Sequence, residues 1–128
     1  MSDLVVLPTT EIAVALCRRH GWQVRDVGLL ASALSRPGQV VWGVEAYVGL
    51  HAKAAALLDS ISRSHPLLDG NKRLAWTLVA AMYRVNGHRL VASADEVDHF
   101  MRTVGGDEHL SLIEVETWLR AHAAEADA

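Results

Sequence analysis

The nine residues from 65 to 73, His-Pro-Leu-Leu-Asp-Gly-Asn-Lys-Arg, bring together side chains that can do chemistry. His65 carries an imidazole, whose neutral form can accept a proton from a hydroxyl group. Asp69 supplies a hard oxygen ligand of the kind that Mg²⁺ prefers. Two cations, Lys72 and Arg73, can neutralise phosphate oxygens. Together these groups predict a site for phosphate chemistry.

This stretch falls at the predicted junction between two helices. Pro66 cannot continue the preceding helix, and Gly70 permits backbone conformations that a residue with a Cβ resists. Asn71 is a favoured N-cap residue, so we predict that a helix begins there. The first N–H groups of a helix lack internal partners and its N-terminus attracts anions, so phosphate oxygens are favoured at this point. Lys72 and Arg73 oppose the helix dipole there unless an anion is bound.

Each of these residues also has an ordinary structural explanation. A histidine beside proline is more often structural, aspartate before glycine is usual in turns, and Lys-Arg in a first helical turn can be a solvated face. Their combination in one order at one helix junction favours the functional interpretation. His51 is instead predicted to be a core or rim residue. The remaining histidines show no metal-binding spacing: His88, His99, His109 and His122.

The same nine residues closely resemble the signature of the Fic/Doc family, His-x-Phe-x-Asp/Glu-Gly/Ala-Asn-x-Arg. Lys72 occupies the position at which AMP-transferring Fic enzymes carry a second glycine, and this variant is similar to the Doc (death-on-curing) branch. The resemblance continues in residues 28–30, 33–37 and 53–55. Three residues depart from the family pattern, in which phenylalanine, asparagine and threonine are usual or frequent: Leu67, Ser64 and Leu74.

The resemblance to the Doc branch implies a protein kinase-type reaction. It makes His65 the catalytic base and assigns ligand roles to the other motif residues: Asp69 to Mg²⁺, and Gly70, Asn71, Lys72 and Arg73 to the phosphates of ATP. In the Doc branch the nucleotide is inverted and presents its γ-phosphate, and the family target is a threonine of elongation factor Tu. We therefore expect transfer of phosphate from ATP to a protein hydroxyl, which halts translation.

Two other activities stay open at this point, namely AMP transfer of the Fic type and binding by a non-catalytic Fic-like module. Leu67, smaller than the usual phenylalanine, is the one motif feature that favours the module. A purely regulatory partner is disfavoured, because such proteins usually carry a basic DNA-binding part or a disordered tail.

The Doc resemblance also implies a cognate, Phd-like antitoxin that inhibits the toxin in trans. Inhibitory Fic helices carry Ser/Thr-x-x-x-Glu-Gly/Asn, and no glutamate of this chain has that context. Restraint therefore either comes from another chain or is absent. We predict a partner antitoxin with an acidic and apolar helix that lies in a groove beside the first helices.

Length and composition are those of an ordinary globular protein. With 128 residues, a net charge of −3 and no basic stripe, residues 1–128 are predicted to form one domain that does not bind nucleic acid directly. No apolar run reaches membrane-spanning length and the N-terminus lacks the basic flank of a signal peptide, so a cytoplasmic location is expected. The single cysteine, Cys17, excludes an internal disulfide and is predicted to be a core residue.

Helical periodicity dominates the chain and predicts an all-α fold: a single compact Fic/Doc-like domain of about six helices with a buried central helix and a short flap. Predicted N-caps are Thr9 or Thr10, Asp26, Asn71, Ser93 and Ser111, the last two within capping boxes.

Three segments carry more specific expectations. A helix from 44 or 45 to 64 should deliver the chain to His65, and the almost wholly apolar helix from 71 to 86 should be the buried centre. Residues 38–43 form either an extended flap or a loop with Trp42 in the core. The tail from Ala121 is expected to fray.

Overall fold

The computed structural model describes residues 4–106 and 110–126 and is mainly helical. Six α-helices are present in these ranges: α1 Thr10–His20, α2 Val27–Ser35, α3 Leu50–Ser64, α4 Asn71–Val85, α5 Ala94–Gly105 and α6 Leu112–His122. A short 3₁₀ turn, Arg36–Gly38, follows α2. Two antiparallel strand pairs complete the described part: β1 Val40–Val41 with β2 Val44–Glu45, and β3 His88–Leu90 with β4 Ala123–Glu125. The predicted fold class and number of helices are confirmed.

Side-chain capping fixes the start of four of the helices, as predicted. Each of these caps accepts a hydrogen bond from an N–H group in the first turn: Thr9, Asp26, Ser93 and Ser111. The two serines form complete capping boxes with glutamates three residues later. The prediction for α4 is wrong by one position, because Gly70 is the N-cap residue and Asn71 is the first helical residue.

The most buried helix is α3, which packs against α2, α4, α5 and α6. Its residues 53–62 are all buried, including the polar Lys53 and Asp59. The prediction that the helix from 71 onward is the centre is therefore wrong. The alanines and cations of α4 that face away from α3 are accessible, so this helix buries one face only.

A hairpin formed by β1 and β2 is the predicted flap. Trp42 and Gly43 at its turn both have positive φ, 54° and 76°, which is the turn geometry that matches the twist of a hairpin. Trp42 is 94% exposed, so the alternative of a tryptophan in the core is wrong. Because residues 44–45 are extended, the long helix begins only at Leu50, after Gly49 (φ 88°). Its predicted start at residue 44 or 45 is corrected accordingly.

Two buried or partly buried cations tie the base of the hairpin to α3. The Lys53 ammonium donates to Glu45 Oε1 at 3.0 Å and to the Tyr47 carbonyl at 2.6 Å. Arg36 donates to the Tyr47 hydroxyl at 2.9 Å and to Asp59 Oδ2 at 2.7 Å. Burial disfavours the charged Arg36, but its hydrogen bonds to Asp59 and Tyr47 outweigh burial and raise its pKa.

Hydrogen bonds hold both ends of the described chain to the rest of the fold. The prediction that the tail frays from Ala121 is wrong for residues 123–125, which form β4 and pair with β3. Near the start, the Asn86 side chain accepts from the Val6 N–H at 2.8 Å and donates to the Val6 carbonyl at 2.9 Å. Cys17 is 1% exposed, as predicted for a core residue, and burial raises the pKa of its thiol. None of the described helices is long and apolar enough to cross a membrane.

Candidate active site

His65 stands at the end of α3, in an unusual backbone conformation. Its φ of 49° and ψ of 61° are left-handed, which is uncommon for a residue other than glycine. The residue is exposed, and neither ring nitrogen forms a hydrogen bond within the described ranges. The imidazole is therefore free to receive a proton from a bound substrate.

The loop after His65 is held against the connection between α1 and α2. Leu67 forms an antiparallel bridge with Val24, and the Leu68 N–H donates to the Gln23 carbonyl at 3.0 Å. Leu67 is only 2% exposed, so it anchors the loop on the core as predicted, although it is smaller than the phenylalanine of the family pattern. This apolar anchor positions the loop between His65 and the N-terminus of α4.

Asn71 holds the other side of the same loop. Its Oδ1 accepts from the Leu67 N–H at 2.8 Å, and its Nδ2 donates to the Leu67 carbonyl at 3.1 Å. Both polar atoms of the side chain thus help to shape the turn. The backbone N–H of Asn71 has no acceptor in the described residues and can donate to a phosphate.

The N-terminus of α4 is open. Gly70 adopts φ 89°, and a Cβ at this position would lie 3.3 Å from Cδ1 of Trp22. The Gly70 N–H donates to Asp69 Oδ1 at 2.8 Å. No side chain caps the helix, and the N–H groups of residues 71–73 have no hydrogen-bond acceptor in the described part of the chain. Such a terminus attracts an anion.

Lys72 and Arg73 are exposed at this terminus, and neither forms an ion pair with a described carboxylate. The stem of Lys72 lies beside Gly105, where an added Cβ would meet Lys72 Cε at 3.1 Å. Gly105 is the last residue of α5, and a helix C-terminus favours a cation. This contact offsets part of the unfavourable interaction of Lys72 with the dipole of α4.

A small depression adjoins the predicted phosphate site. It has a volume of about 170 Å³ and is bounded by the motif and by the end of α1: Gly21, Trp22, Gln23, Leu68, Asp69, Gly70 and Arg73. One carboxylate and one guanidinium therefore face the same space, with an indole as its wall. This composition suits a charged group that is accompanied by a cation.

A much larger groove begins at the same two motif cations. It encloses about 1060 Å³ between α4, β3 and α5, and its lining combines cations with apolar side chains. The cations are Lys72, Arg73, Arg84 and Arg89, and none of them pairs with a described carboxylate. Asp98, the carboxylate of this lining, pairs with Arg102 at 3.1 Å. A smaller groove of about 510 Å³ borders α2, beside the first helices.

Metal binding by the protein alone is not indicated within the described residues, which contain no cluster of three or more His, Cys, Asp or Glu side chains. Asp69 is a lone exposed carboxylate. Mg²⁺ is commonly held by one or two carboxylates together with phosphate oxygens and waters. Asp69 therefore fits an Mg²⁺ ion that arrives with a nucleotide.

The other histidines do not contribute to this site. His51 Nδ1 lies 2.7 Å from the Tyr83 hydroxyl, and burial lowers the pKa of His51, which confirms it as a core or rim residue. His122 stacks on Trp118 and contacts Glu96 at 3.3 Å. His109, also predicted to have no metal partner, lies outside the described residues.

Several residues near the site carried no signal in the sequence. They lie on the connection between α1 and α2 or along the groove: Trp22, Gln23, Arg25, Arg84 and Arg89. Those on the connection are some forty residues from His65 in the chain. No local spacing rule links residues so far apart, so only the packing of the helices reveals them.

Comparison with known proteins places the site in a family. The model of the Fic/DOC family matches residues 9–83, which include the whole motif. Toxin Doc of Mycolicibacterium smegmatis is 51% identical over 73 residues, which are 57% of this chain and 56% of that protein. The matched stretch thus spans little more than half of the relative's length. The chain belongs to the Fic/DOC family, and its resemblance to the Doc branch is confirmed.

Proposed function

We propose that this protein is the toxin of a toxin–antitoxin pair and transfers the γ-phosphate of ATP to a hydroxyl group of a translation protein. Similarity to Toxin Doc supports the toxin role. One observation carries the chemistry: an exposed imidazole and an uncapped helix N-terminus with two unpaired cations stand at the two ends of one clamped loop. We propose a threonine of elongation factor Tu as the acceptor.

The phosphates of ATP bind at the N-terminus of α4. The N–H groups of residues 71–73 donate to phosphate oxygens, and Lys72 and Arg73 neutralise their charge. Asp69 holds Mg²⁺, which supplies further neutralisation of charge on the transferring phosphate. Phosphoryl transfer needs little beyond such positioning and charge stabilisation.

His65 acts as the base at the other end of the loop. Its free ring nitrogen takes the proton from the target hydroxyl. The hydroxyl oxygen forms a bond to the γ-phosphorus, the bond from that phosphorus to the bridging oxygen of ADP breaks, and ADP leaves. The exposed hairpin, with Trp42 at its turn, presents the target segment, because exposed strand edges bind extended peptides.

Lys72 decides which phosphate reacts. Fic enzymes that transfer AMP have glycine at the position of Lys72, which leaves space for the nucleotide. In this chain a lysine stands at that position, and its stem lies against the end of α5. Its bulk and charge favour a nucleotide that enters with its γ-phosphate toward His65.

The antitoxin is proposed to act through the groove between α4, β3 and α5. A segment with acidic and apolar side chains complements its unpaired cations and apolar lining. Because Lys72 and Arg73 belong to both the groove and the phosphate site, a bound carboxylate competes with ATP. We favour this groove over the smaller one beside α2, where the partner was expected from the sequence.

The test uses the purified chain with Mg²⁺, elongation factor Tu and ATP labelled separately at the α- and γ-phosphates. Label should reach the target only from the γ-position and should be lost with His65→Ala. His99→Ala, which removes an exposed imidazole from α5, is the matched control and should retain transfer. Transfer of α-label would identify an AMP-transferase instead. Nucleotide binding without label, unchanged by His65→Ala, would indicate a non-catalytic module.

A further inference from the structure

His65 keeps its left-handed backbone without the freedom of a glycine. A non-glycine residue in this region persists only when its surroundings hold it there. The hydrogen bond of its N–H to the Ile61 carbonyl continues α3, and Pro66 follows at once. Neither contact fixes the carbonyl group of His65, so another group must orient the peptide that carries the proposed base.

The side chain of Arg25 makes that contact. Its Nη2 donates to the His65 carbonyl at 2.6 Å and to the Ser64 carbonyl at 3.2 Å, and its Nε donates to the His65 carbonyl at 3.1 Å. The last carbonyls of a helix lack internal partners, and a cation at this end also suits the helix dipole. Arg25 has no carboxylate partner in the described ranges, so these carbonyls are its described acceptors.

The backbone beside Arg25 makes a separate set of bonds. The N–H groups of Arg25 and Asp26 donate to the Pro66 carbonyl at 2.8 and 3.2 Å. Asp26 caps α2 through its side chain, so the connection itself is held by that helix. Because these donors are backbone N–H groups, substitution of Arg25 by alanine or lysine leaves both bonds available. The guanidinium can therefore be removed while the loop stays attached to the fold.

We propose that Arg25 is a positioning residue, which holds the carbonyl of His65 and thereby aims the imidazole at the target hydroxyl. The proposal rests on the proposed role of His65 as base. Because the described acceptors of Arg25 are the Ser64 and His65 carbonyls, we expect its effect in the chemical step and not in nucleotide binding. A displacement of about 1 Å at a reacting group can lower a rate on the order of a hundredfold.

The test compares Arg25→Ala and Arg25→Lys with Arg63→Ala. Arg63 is a cation near the same end of α3, in the last turn of the helix itself, but it pairs with Asp59 at 2.8 Å and makes no hydrogen bond to His65. Arg25→Ala should lower kcat for γ-phosphate transfer by about 10- to 100-fold with KM for ATP changed less than about twofold. Added methylguanidine should restore part of that rate. Arg25→Lys has one donor group for two carbonyls, so its kcat should lie between those of Arg25→Ala and the wild-type chain. Arg63→Ala should keep the wild-type kcat.

Nuclear magnetic resonance of the same variants separates this proposal from the proposed function. Arg25→Ala should shift the backbone and imidazole signals of His65, whereas Arg63→Ala should leave them unchanged. If the wild-type chain transfers no phosphate, the proposed function fails. The His65 signals alone then test whether Arg25 positions His65. Unchanged His65 signals in Arg25→Ala, or equal losses of kcat in Arg25→Ala and Arg63→Ala, would overturn the proposal.

Discussion

The side chain of Asn71 makes both hydrogen bonds that the backbone of Leu67 offers, as donor at 3.1 Å and as acceptor at 2.8 Å. On its opposite edge the loop pairs with the connection between α1 and α2 through Val24. In an antiparallel pair, residues alternate between bonding to the neighbour and pointing away from it. Asn71 thus satisfies the groups that Val24 cannot reach, and the loop is held from both sides.

Asn71→Ala should lower the free energy of unfolding and abolish most γ-phosphate transfer. Two backbone groups of the buried Leu67 lose their partner, which costs about 1–3 kcal/mol. Asn86→Ala is a matched control, because Asn86 makes the same pair of bonds with Val6, away from the motif. Denaturant unfolding and the labelling assay should show similar destabilisation in both variants but a loss of transfer only in Asn71→Ala. Full transfer by a folded Asn71→Ala would show that this clamp is dispensable.

Lys53→Met should loosen the hairpin while leaving ATP binding intact. The substitution removes the Lys53 ammonium, which donates to Glu45 and to the Tyr47 carbonyl. Hydrogen bonds to a charged group contribute about 1.5–3 kcal/mol to stability. Chymotrypsin cleavage after the exposed Trp42 should become faster, and KM for the protein target should rise more than KM for ATP.

Arg102→Ala is the control for this change. It breaks an exposed pair with Asp98, and such pairs contribute little to stability. Cleavage at Trp42 should be unaffected. Equal cleavage rates for Lys53→Met and the wild-type chain would mean that the hairpin is held by other contacts.

The double substitution Arg84→Glu with Arg89→Glu should weaken binding of the proposed antitoxin and preserve phosphate transfer. Both arginines line the groove without a described carboxylate partner, and neither belongs to the motif. Reversal of charge across an interface disfavours an acidic partner, and the wild-type affinity should fall as salt is raised. Calorimetric titration would measure both effects.

Arg102→Glu serves as the control for charge reversal on α5 outside the groove lining. Its affinity for the partner should stay near that of the wild-type chain. If Arg84→Glu with Arg89→Glu binds as tightly as Arg102→Glu, the partner occupies another surface, such as the groove beside α2.

Stability should fall in mild acid because of His51. Burial lowers the pKa of His51 in the folded chain, so the unfolded chain binds a proton at a higher pH than the folded chain does. The contribution of neutral His51 to the free energy of unfolding is complete above the ordinary histidine pKa of about 6.5. It is lost as the pH falls toward the lowered pKa of His51 in the folded chain. Neutral His51 also accepts a hydrogen bond from Tyr83, whose hydroxyl stays protonated because burial raises its pKa.

His51→Gln removes this titration. Denaturant unfolding between pH 7 and 5 should show a shallower loss of stability for His51→Gln than for the wild-type chain. His99→Gln, at an exposed position on α5, should follow the wild-type curve. Parallel curves for His51→Gln and the wild-type chain would contradict a role for His51 in the acid sensitivity.

Local sequence determined much of this protein. The motif at residues 65–73 is legible in the sequence itself. Capping and backbone preferences over a few residues explain the stop before Pro66 and the helix starts at Thr9, Asp26, Ser93 and Ser111. Those preferences act within one or two turns, which is why the motif and the six helices could be predicted from the chain alone.

Tertiary structure decided which helix is central and what holds the proposed base. Periodicity measures the apolar character of a helix but not which neighbours cover it, so the pattern alone predicts α4 as the centre although α3 is the more buried helix. The extended pairing of residues 40–45 and of 123–125 also depends on a second strand. The contact of Arg25 with His65 joins residues forty positions apart, and no local rule specifies such a contact before the helices pack.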